Sequence, residues 1–273
     1  VNLADVNETF HGAKMTLTQI RNATLVLTYA GKKFLIDPML AEKEAWPGFA
    51  GNARPHLRNP MVELPVPVAS LLAVDAVIVT HTHMDHWDEA AQQLVPKTMM
   101  IYSQHEADAA LIRSQGFENV SVLEDKNQFI DGLTIYKTDG QHGSNALYAD
   151  KMMGDFLGDA CGLVFTHPSE KTLYIAGDTV WVKPYVRTLQ RFQPQVVVMN
   201  TGNATNDLYG PIIMGKEDTL QTLKILPEAT LVSSHMEAIN HCLLTRAELR
   251  AYTLEQGIAE QVLIPEDGET MTF

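Results

Sequence analysis

The chain has 273 residues, with 20 Lys and Arg against 33 Asp and Glu, 45% hydrophobic residues and 2 cysteines. A formal charge of -13 sets most of the surface against a nucleic-acid backbone, and two cysteines far apart in sequence, Cys161 and Cys242, exclude a densely disulfide-stapled module. The length is enough to bury a large core, no segment is long and apolar enough to cross a bilayer, and the chain reads as soluble.

At its start, Val1 in place of an initiator Met is read as a removed leader or a trimmed beginning, which leaves cytoplasm and periplasm both open. Residues 16–20, 23–29 and 33–36 are β-branched and apolar runs broken by Arg21-Asn22 and Ala30-Gly31-Lys32, the pattern of an antiparallel meander. From Pro38 to Leu72 the periodicity stops. Pro47, Pro55, Pro60, Pro65 and Pro67 forbid a long regular element, and an irregular excursion over 39–72 is read as a pocket wall. Residues 75–79 predict a buried strand and 87–94 a helix. Strand, helix and strand follow over 99–102, 105–115 and 120–123, then a pair of edge strands over 128–137 about Asp131-Gly132.

A second irregular stretch, 143–159, contains Ala149, Met152, Met153 and Phe156 at helical spacing, which predicts a short amphipathic helix over 148–157 able to seat as a lid or against another subunit. The second half opens with a hairpin, 162–165 and 172–176. It then alternates helix (183–192), strand (196–199), helix (216–225), strand (230–233), helix (246–256) and strand (261–264), with Thr245 and Glu248 forming a capping-box signature. Both halves run sheet first and then alternate strand with helix, so two packed sheets with helices outside are expected.

The segment Thr80-His81-Thr82-His83-Met84-Asp85-His86-Trp87-Asp88 outweighs the rest: three of the chain's 10 histidines fall within six residues, directly after a buried strand. Imidazoles suit zinc and related ions, and a carboxylate takes a second metal or orients its water. The chain repeats one rule elsewhere, apolar strand, tight turn, metal-capable side chain. His142 follows Gly140-Gln141, Asp178 follows Ala176-Gly177, and His235 follows Ser233-Ser234. His241, in a polar segment before the last helix, is the better candidate proton donor, ahead of His105. Its alternative reading is an Asn/His pair serving backbone groups. Glu237 is placed to orient a ligand imidazole at His235. His11, His56 and His167 lie in irregular or turn sequence and carry no assignment.

On these residues the chain resembles the metallo-beta-lactamase fold superfamily, whose HxHxDH signature stands intact as His81, His83, Asp85 and His86. The likeness runs from Ile36-Asp37-Pro38 through Asp178 to His235. It implies an α/β fold, a four-layer alpha-beta/beta-alpha sandwich, in one metallo-hydrolase domain over residues 1–273. It also implies two divalent ions: one held by His81, His83 and His142, the other by Asp85, His86 and His235, with Asp178 bridging. Zinc is the first expectation, with manganese or iron also accommodated. Within the superfamily the chain is most similar to broadly named metal-dependent hydrolases related to the ascorbate-phosphate lactonases, judged by Gly177-Asp178-Thr179 and Met214-Gly215-Lys216-Glu217-Asp218. It is not similar to the antibiotic-degrading members, since Cys161 and Cys242 miss the motif positions.

The expected activity is hydrolysis by metal-activated hydroxide, oriented by Asp85 and Asp178, of a small ester, lactone or phosphoester. The alternatives on the same scaffold are a nucleic-acid phosphodiesterase, disfavoured by the acidic charge, and an iron-dependent oxygen-using enzyme. Pocket walls are expected from Trp46, Phe49 and Arg54, from Tyr148, Met152, Met153 and Phe156, and from Asn203, Asn206, Tyr209 and Met214. Arg54, Arg58, Lys151 and Lys183 are scattered candidates for a phosphate. The partner is a small molecule, with no membrane, and paired subunits are a common outcome for such a chain.

Overall fold

A computed structural model of the chain describes residues 14–273, so Val1 and His11 lie outside the described residues. Strands β1 (Thr16–Arg21), β2 (Thr24–Tyr29) and β3 (Lys32–Ile36) form the expected meander, with Leu27 opposite both Leu17 and Phe34. After the irregular excursion, which carries the single-turn helix α1 (Val68–Leu71), the sheet continues in parallel with β4 (Ala76–Val79). Then come α2 (Glu89–Leu94), β5 (Ile101–Ser103), α3 (Glu106–Ser114) and β6 (Val120–Val122).

The second sheet repeats this plan. Strands β7 (Lys126–Gln128), β8 (Thr134–Thr138), β9 (Gly162–His167) and β10 (Glu170–Ile175) are antiparallel, with α4 (Asn145–Ala149) and α5 (Lys151–Leu157) inserted between β8 and β9. Then follow α6 (Lys183–Phe192), β11 (Val196–Asn200), the small hairpin β12 (Thr205–Asn206) and β13 (Gly210–Pro211), and α7 (Lys216–Ile225). The chain continues with β14 (Thr230–Ser234), α8 (Arg246–Glu255), β15 (Val262–Leu263) and β16 (Thr270–Thr272). The sheets are ordered β16-β1-β2-β3-β4-β5-β6 and β15-β14-β11-β10-β9-β8-β7, so the last strand crosses back to pair with the first.

The two sheets face one another. Leu17, Leu27, Phe34 and Ile78 pack against Leu163, Phe165, Leu173 and Val198, and each such side chain, fully buried, stabilises the fold by about 1.5–3 kcal/mol. The Tyr29 hydroxyl ties the layers by donating to the carbonyls of Phe165 (3.0 Å) and Lys171 (2.8 Å). On the outer faces, Leu35, Val77 and Val79 meet Ala91 and Ile112 of α2 and α3, while Val164, Tyr174 and Val197 meet Tyr185 and Leu189 of α6 and Leu223 of α7. Central strands buried on both faces explain why 76–79 and 196–200 read as unbroken apolar runs. The result is the expected four-layer sandwich.

Local chemistry moves some boundaries. The helix expected from Trp87 begins at Glu89 because the Asp88 carboxylate caps it, accepting from Ala91 N at 2.8 Å. The one helix expected over 148–157 is two, because Asp150 caps a new start by accepting from Met153 N at 3.3 Å. Its predicted face also divides: Leu147 and Leu157 are buried and Met153 is partly so, whereas Ala149, Met152 and Phe156 are exposed. At α8, Thr245 accepts from Glu248 N (3.1 Å), and the Glu248 carboxylate takes the Thr245 hydroxyl (3.2 Å) rather than its backbone N–H.

Candidate metal centre

Strands β3, β4, β8, β10 and β14 all end at one rim, where Asp37, His81, His142, Asp178 and His235 follow them within a few residues. In open α/β sheets this carboxyl edge is where side chains converge on a ligand. Two glycines let the turns close. Gly177 (φ 71°) leaves no room for a Cβ beside the Cys161 carbonyl, and a Cβ on Gly202 would collide with the His235 carbonyl. His235 itself has φ 60°, a strained conformation for a side-chain-bearing residue, held by its N–H donating to Asn22 O at 3.0 Å.

The seven expected donors meet in two adjoining groups, His81, His83 and His142 in one and Asp85, His86, Asp178 and His235 in the other, with donor atoms in each within 4.8 Å of one another. Asp178 Oδ2 lies 2.9 Å from His86 Nε2, 3.1 Å from His142 Nε2 and 3.5 Å from His81 Nε2, so one carboxylate touches both groups. Asp85 Oδ2 lies 3.1 Å from His235 Nε2 and 3.3 Å from His86 Nε2. Six of the seven donors are buried and His83 is half-buried.

The outer nitrogen of every imidazole is fastened. Asp37 accepts from Thr80 N (2.7 Å), Thr80 Oγ1 (2.6 Å) and His86 Nδ1 (2.8 Å). With its proton on Asp37, the Thr80 hydroxyl can only accept from His81 Nδ1 (3.2 Å), which leaves the His81 Nε2 lone pair pointing inward. His142 Nδ1 donates to Ile212 O (2.8 Å) and His83 Nε2 to Phe156 O (3.1 Å), while His235 Nδ1 lies 3.4 Å from Cys242 Sγ. Such outer partners fix the tautomer and aim of a metal-ligating histidine. The carboxylates are steadied by amides: Asn22 Nδ2 donates to Asp85 Oδ2 (3.1 Å) and Asn200 Nδ2 to Asp178 Oδ1 (2.8 Å).

Burial alone would raise the pKa of Asp85 and Asp178, yet His86 and His235 hold both carboxyls well below the usual range. Conversely, and against burial, Asp178, Asp85 and Asp37 drive His86 well above the ordinary imidazole value, and Asp178 does most to raise His235. His81 and His83 are lowered by burial and by neighbouring imidazoles, His83 to about 4. The site therefore demands positive charge on its carboxylate side, while His81 and His83 offer neutral nitrogen lone pairs on the other.

Divalent ions fit this demand. Two donors each about 2.0–2.1 Å from a tetrahedral ion stand about 3.3 Å apart. The carboxylate-to-imidazole contacts of 2.9–3.5 Å bracket that spacing, and the buried His81 Nε2 makes no hydrogen bond.

The other expected residues fall differently. His241 is buried with its ring edge-on to Phe49 at 5.0 Å and its Nδ1 unpartnered. Burial lowers its pKa to about 4, with Asp85, His235, His142 and Asp178 all acting on it. It thus stands beside the donors as a neutral imidazole. His105 is instead the cap of α3, accepting from Asp108 N at 3.2 Å. Glu237 does not orient His235, because its carboxylate is taken by Arg246 through the backbone N (2.7 Å) and Nη1 (2.8 Å). Trp46, Phe49, Tyr148, Met153 and Tyr209 pack with Leu147, Ile212 and Ile239 in a satellite core under the rim.

The phosphate candidates are engaged elsewhere. Arg54 donates to Asn240 O and Cys242 O, Arg58 to Glu44 O and Ala45 O, and Lys151 pairs with Asp155. Lys183 lines a separate cavity of about 690 Å³ with Gln141, Trp181 and Arg187. Reading the sequence missed Asp37, Asn22 and Asn200 as partners of the donors. Only Asp37, in Ile36-Asp37-Pro38 at a strand end, carried any local signal.

Comparison with known proteins agrees with this geometry. Residues 32–236 match the model of the beta-lactamase superfamily domain. The crystal structure of an isothiocyanate hydrolase from Delia radicum gut bacteria is 79% identical, with a TM-score of 0.94 over 95% of this chain and 99% of that one. The UPF0173 protein YddR of Bacillus subtilis is 46% identical over 95% of this chain and 100% of its own. A possible metal-dependent hydrolase from Veillonella parvula is 42% identical, with a TM-score of 0.93 over 96% of this chain and 100% of that one.

Proposed function

The chain belongs to the beta-lactamase superfamily and is a metal-dependent hydrolase acting on a small molecule, and we propose that it holds two divalent ions and hydrolyses neutral organic isothiocyanates. One observation carries the metal reading: two adjoining donor groups share Asp178, and each imidazole is fastened by its outer nitrogen. Two features support the substrate. Of the candidate cations for a phosphate, Arg54, Arg58 and Lys151 are bonded elsewhere and Lys183 lines another cavity, which favours an uncharged electrophile, and a protein 79% identical is an isothiocyanate hydrolase.

When bound, the ions would lower the pKa of a water and polarise the group it attacks. His81, His83 and His142 would hold one ion, Asp85, His86 and His235 the other, and Asp178 both. Asp85, steadied by Asn22, and Asp178, steadied by Asn200, would orient the attacking oxygen. His241, neutral and buried against Phe49, would offer an N–H to the developing anion. In the overall reaction water adds across the N=C=S carbon to give a thiocarbamic acid. Its C–N bond breaks as the thiol proton moves to nitrogen, releasing an amine and carbonyl sulfide.

The test is amine release from benzyl isothiocyanate by protein loaded with zinc, manganese or iron, run beside lactones, thioesters and phosphodiesters. Turnover of isothiocyanate above the other classes is expected. Turnover confined to lactones or phosphodiesters would overturn the substrate, and fewer than two ions per chain in the active form would overturn the dinuclear reading.

A further inference from the structure

Because His83 is the half-buried member of an otherwise buried donor set, the centre is most open to solvent on the His83 side. That side is bounded by α5. The Phe156 carbonyl accepts from His83 Nε2 at 3.1 Å, and the Phe156 ring stacks over the His83 ring at 6.0 Å and 21°. The segment is pinned at both ends. The Tyr148 hydroxyl accepts from His142 N (3.1 Å) and donates to Gly158 O (2.8 Å), and the Asp150 cap of α5 accepts from the Tyr209 hydroxyl (2.6 Å).

On this fixed helix Phe156 is 64% exposed and Met152, one turn earlier, 77%. Phe156 is thus held in water against a metal-donor imidazole, and Met152, one turn away on the same helix, extends the exposed apolar surface outward from it. Aromatic rings prefer to pack on other rings and on thioether sulfur.

We infer that Met152 and Phe156 are the specificity wall of the centre, lying against the apolar substituent of the substrate while its electrophilic carbon reaches the donors, so that arylalkyl substituents are preferred to short alkyl ones. The inference rests on the reading of the centre as a hydrolase of small neutral electrophiles, and it takes its occupant from the wall's continuity with His83.

Two metal-binding probes that share a head group separate the wall from the chemistry: acetohydroxamate and phenylacetohydroxamate, titrated by calorimetry into the metal-loaded protein. The phenyl probe should bind about tenfold more tightly. Phe156→Ala should cut that preference to about twofold with metal content unchanged, and Phe156→Leu should restore part of it. Met152→Ala, at the more exposed position, should give a smaller loss in the same direction and guards against a folding defect in the first variant. The ratio of KM for methyl over benzyl isothiocyanate should fall in parallel.

A parent protein without the preference, or a double variant that keeps it, overturns the wall. So does a double variant that turns a dimer into a monomer with the preference intact, which would assign the face to a second copy of this chain. A parent that shows the probe preference but turns over no isothiocyanate supports the wall and refutes the substrate, so the two readings fail separately.

Discussion

The two donor groups differ in charge and in exposure. In the first group burial lowers the basicity of His81 and His83, and the three imidazoles His81, His83 and His142 are fastened by Thr80 and by the carbonyls of Phe156 and Ile212. Asp85, His86 and His235 are buried throughout, contain a carboxylate of their own, and are backed by Asp37, Asn22 and Cys242. An ion among three neutral nitrogens keeps more of its charge than one facing Asp85, and the bound ion's own charge dominates such a site. On the proposed two-ion reading, the group that contains half-buried His83 would polarise the substrate and the fully buried group would hold its ion firmly.

Asp178 is the one side chain common to both groups, and its replacement should show the largest effect. Asp178→Ala should lower metal content from about two ions to below one per chain and the rate by about a thousandfold or more, read by elemental analysis and amine release. Retention of both ions would dissolve the proposed coupling of the two groups. Asp37→Asn comes next. It keeps the shape but removes the charge that orients His86, and outer partners of this kind are worth about 10–100-fold in metal affinity. Chelator titration should show one ion leaving earlier. Equal weakening of both would mean that Asp37 acts through Thr80 and His81 as strongly as through His86.

How far these contacts could be read from the chain depends on sequence distance. His81, His83, Asp85 and His86 fall within six residues, and the helices over 183–192 and 216–225 begin where Pro184 and the Gly215/Asp218 capping pair place them. Asn22 looks like any turn asparagine, and its bond to Asp85 spans 63 residues. Asn200 ends a buried strand with nothing beside it to mark Asp178 as its partner. The three-residue β16 has no local periodicity and exists because β1, over 250 positions away in sequence, offers it an edge. Asp150 could be read as a polar residue on a continuous helix, and only its cap to Met153 divides α4 from α5. Local patterns carry elements and clustered ligands, whereas outer partners are set by topology.

Acidity should separate the groups further. His86 and His235 are raised by the facing carboxylates, which favours their protonated forms, and an incoming ion competes with those protons. His83, at about 4, and the lowered His81 are already neutral at pH 6–7. Loading the buried group should therefore release protons, and its affinity should fall about tenfold per pH unit for each proton as the pH drops. Affinity of the group that contains His83 should change less over the same range. Calorimetry in buffers of different ionisation enthalpy reads the difference, and equal proton release from both groups would erase it.

The smallest expected effect lies at Cys242. Its Sγ is 3.4 Å from His235 Nδ1, and burial pushes the thiol up, so it is a neutral S–H rather than a thiolate ligand. Sulfur is a weak hydrogen-bond partner, and the His235 backbone is independently held by Asn22 O. Cys242→Ala should therefore weaken retention of the buried group's ion only about threefold, while Cys242→Ser, which keeps a hydrogen-bonding atom, should sit near the parent. Thermal unfolding of the metal-free variants tells aim from packing. If Ala and Ser lower Tm alike and both ions leave alike, the sulfur fills space against Gly202, whereas selective loss of one ion with Tm preserved identifies the thiol as what aims His235.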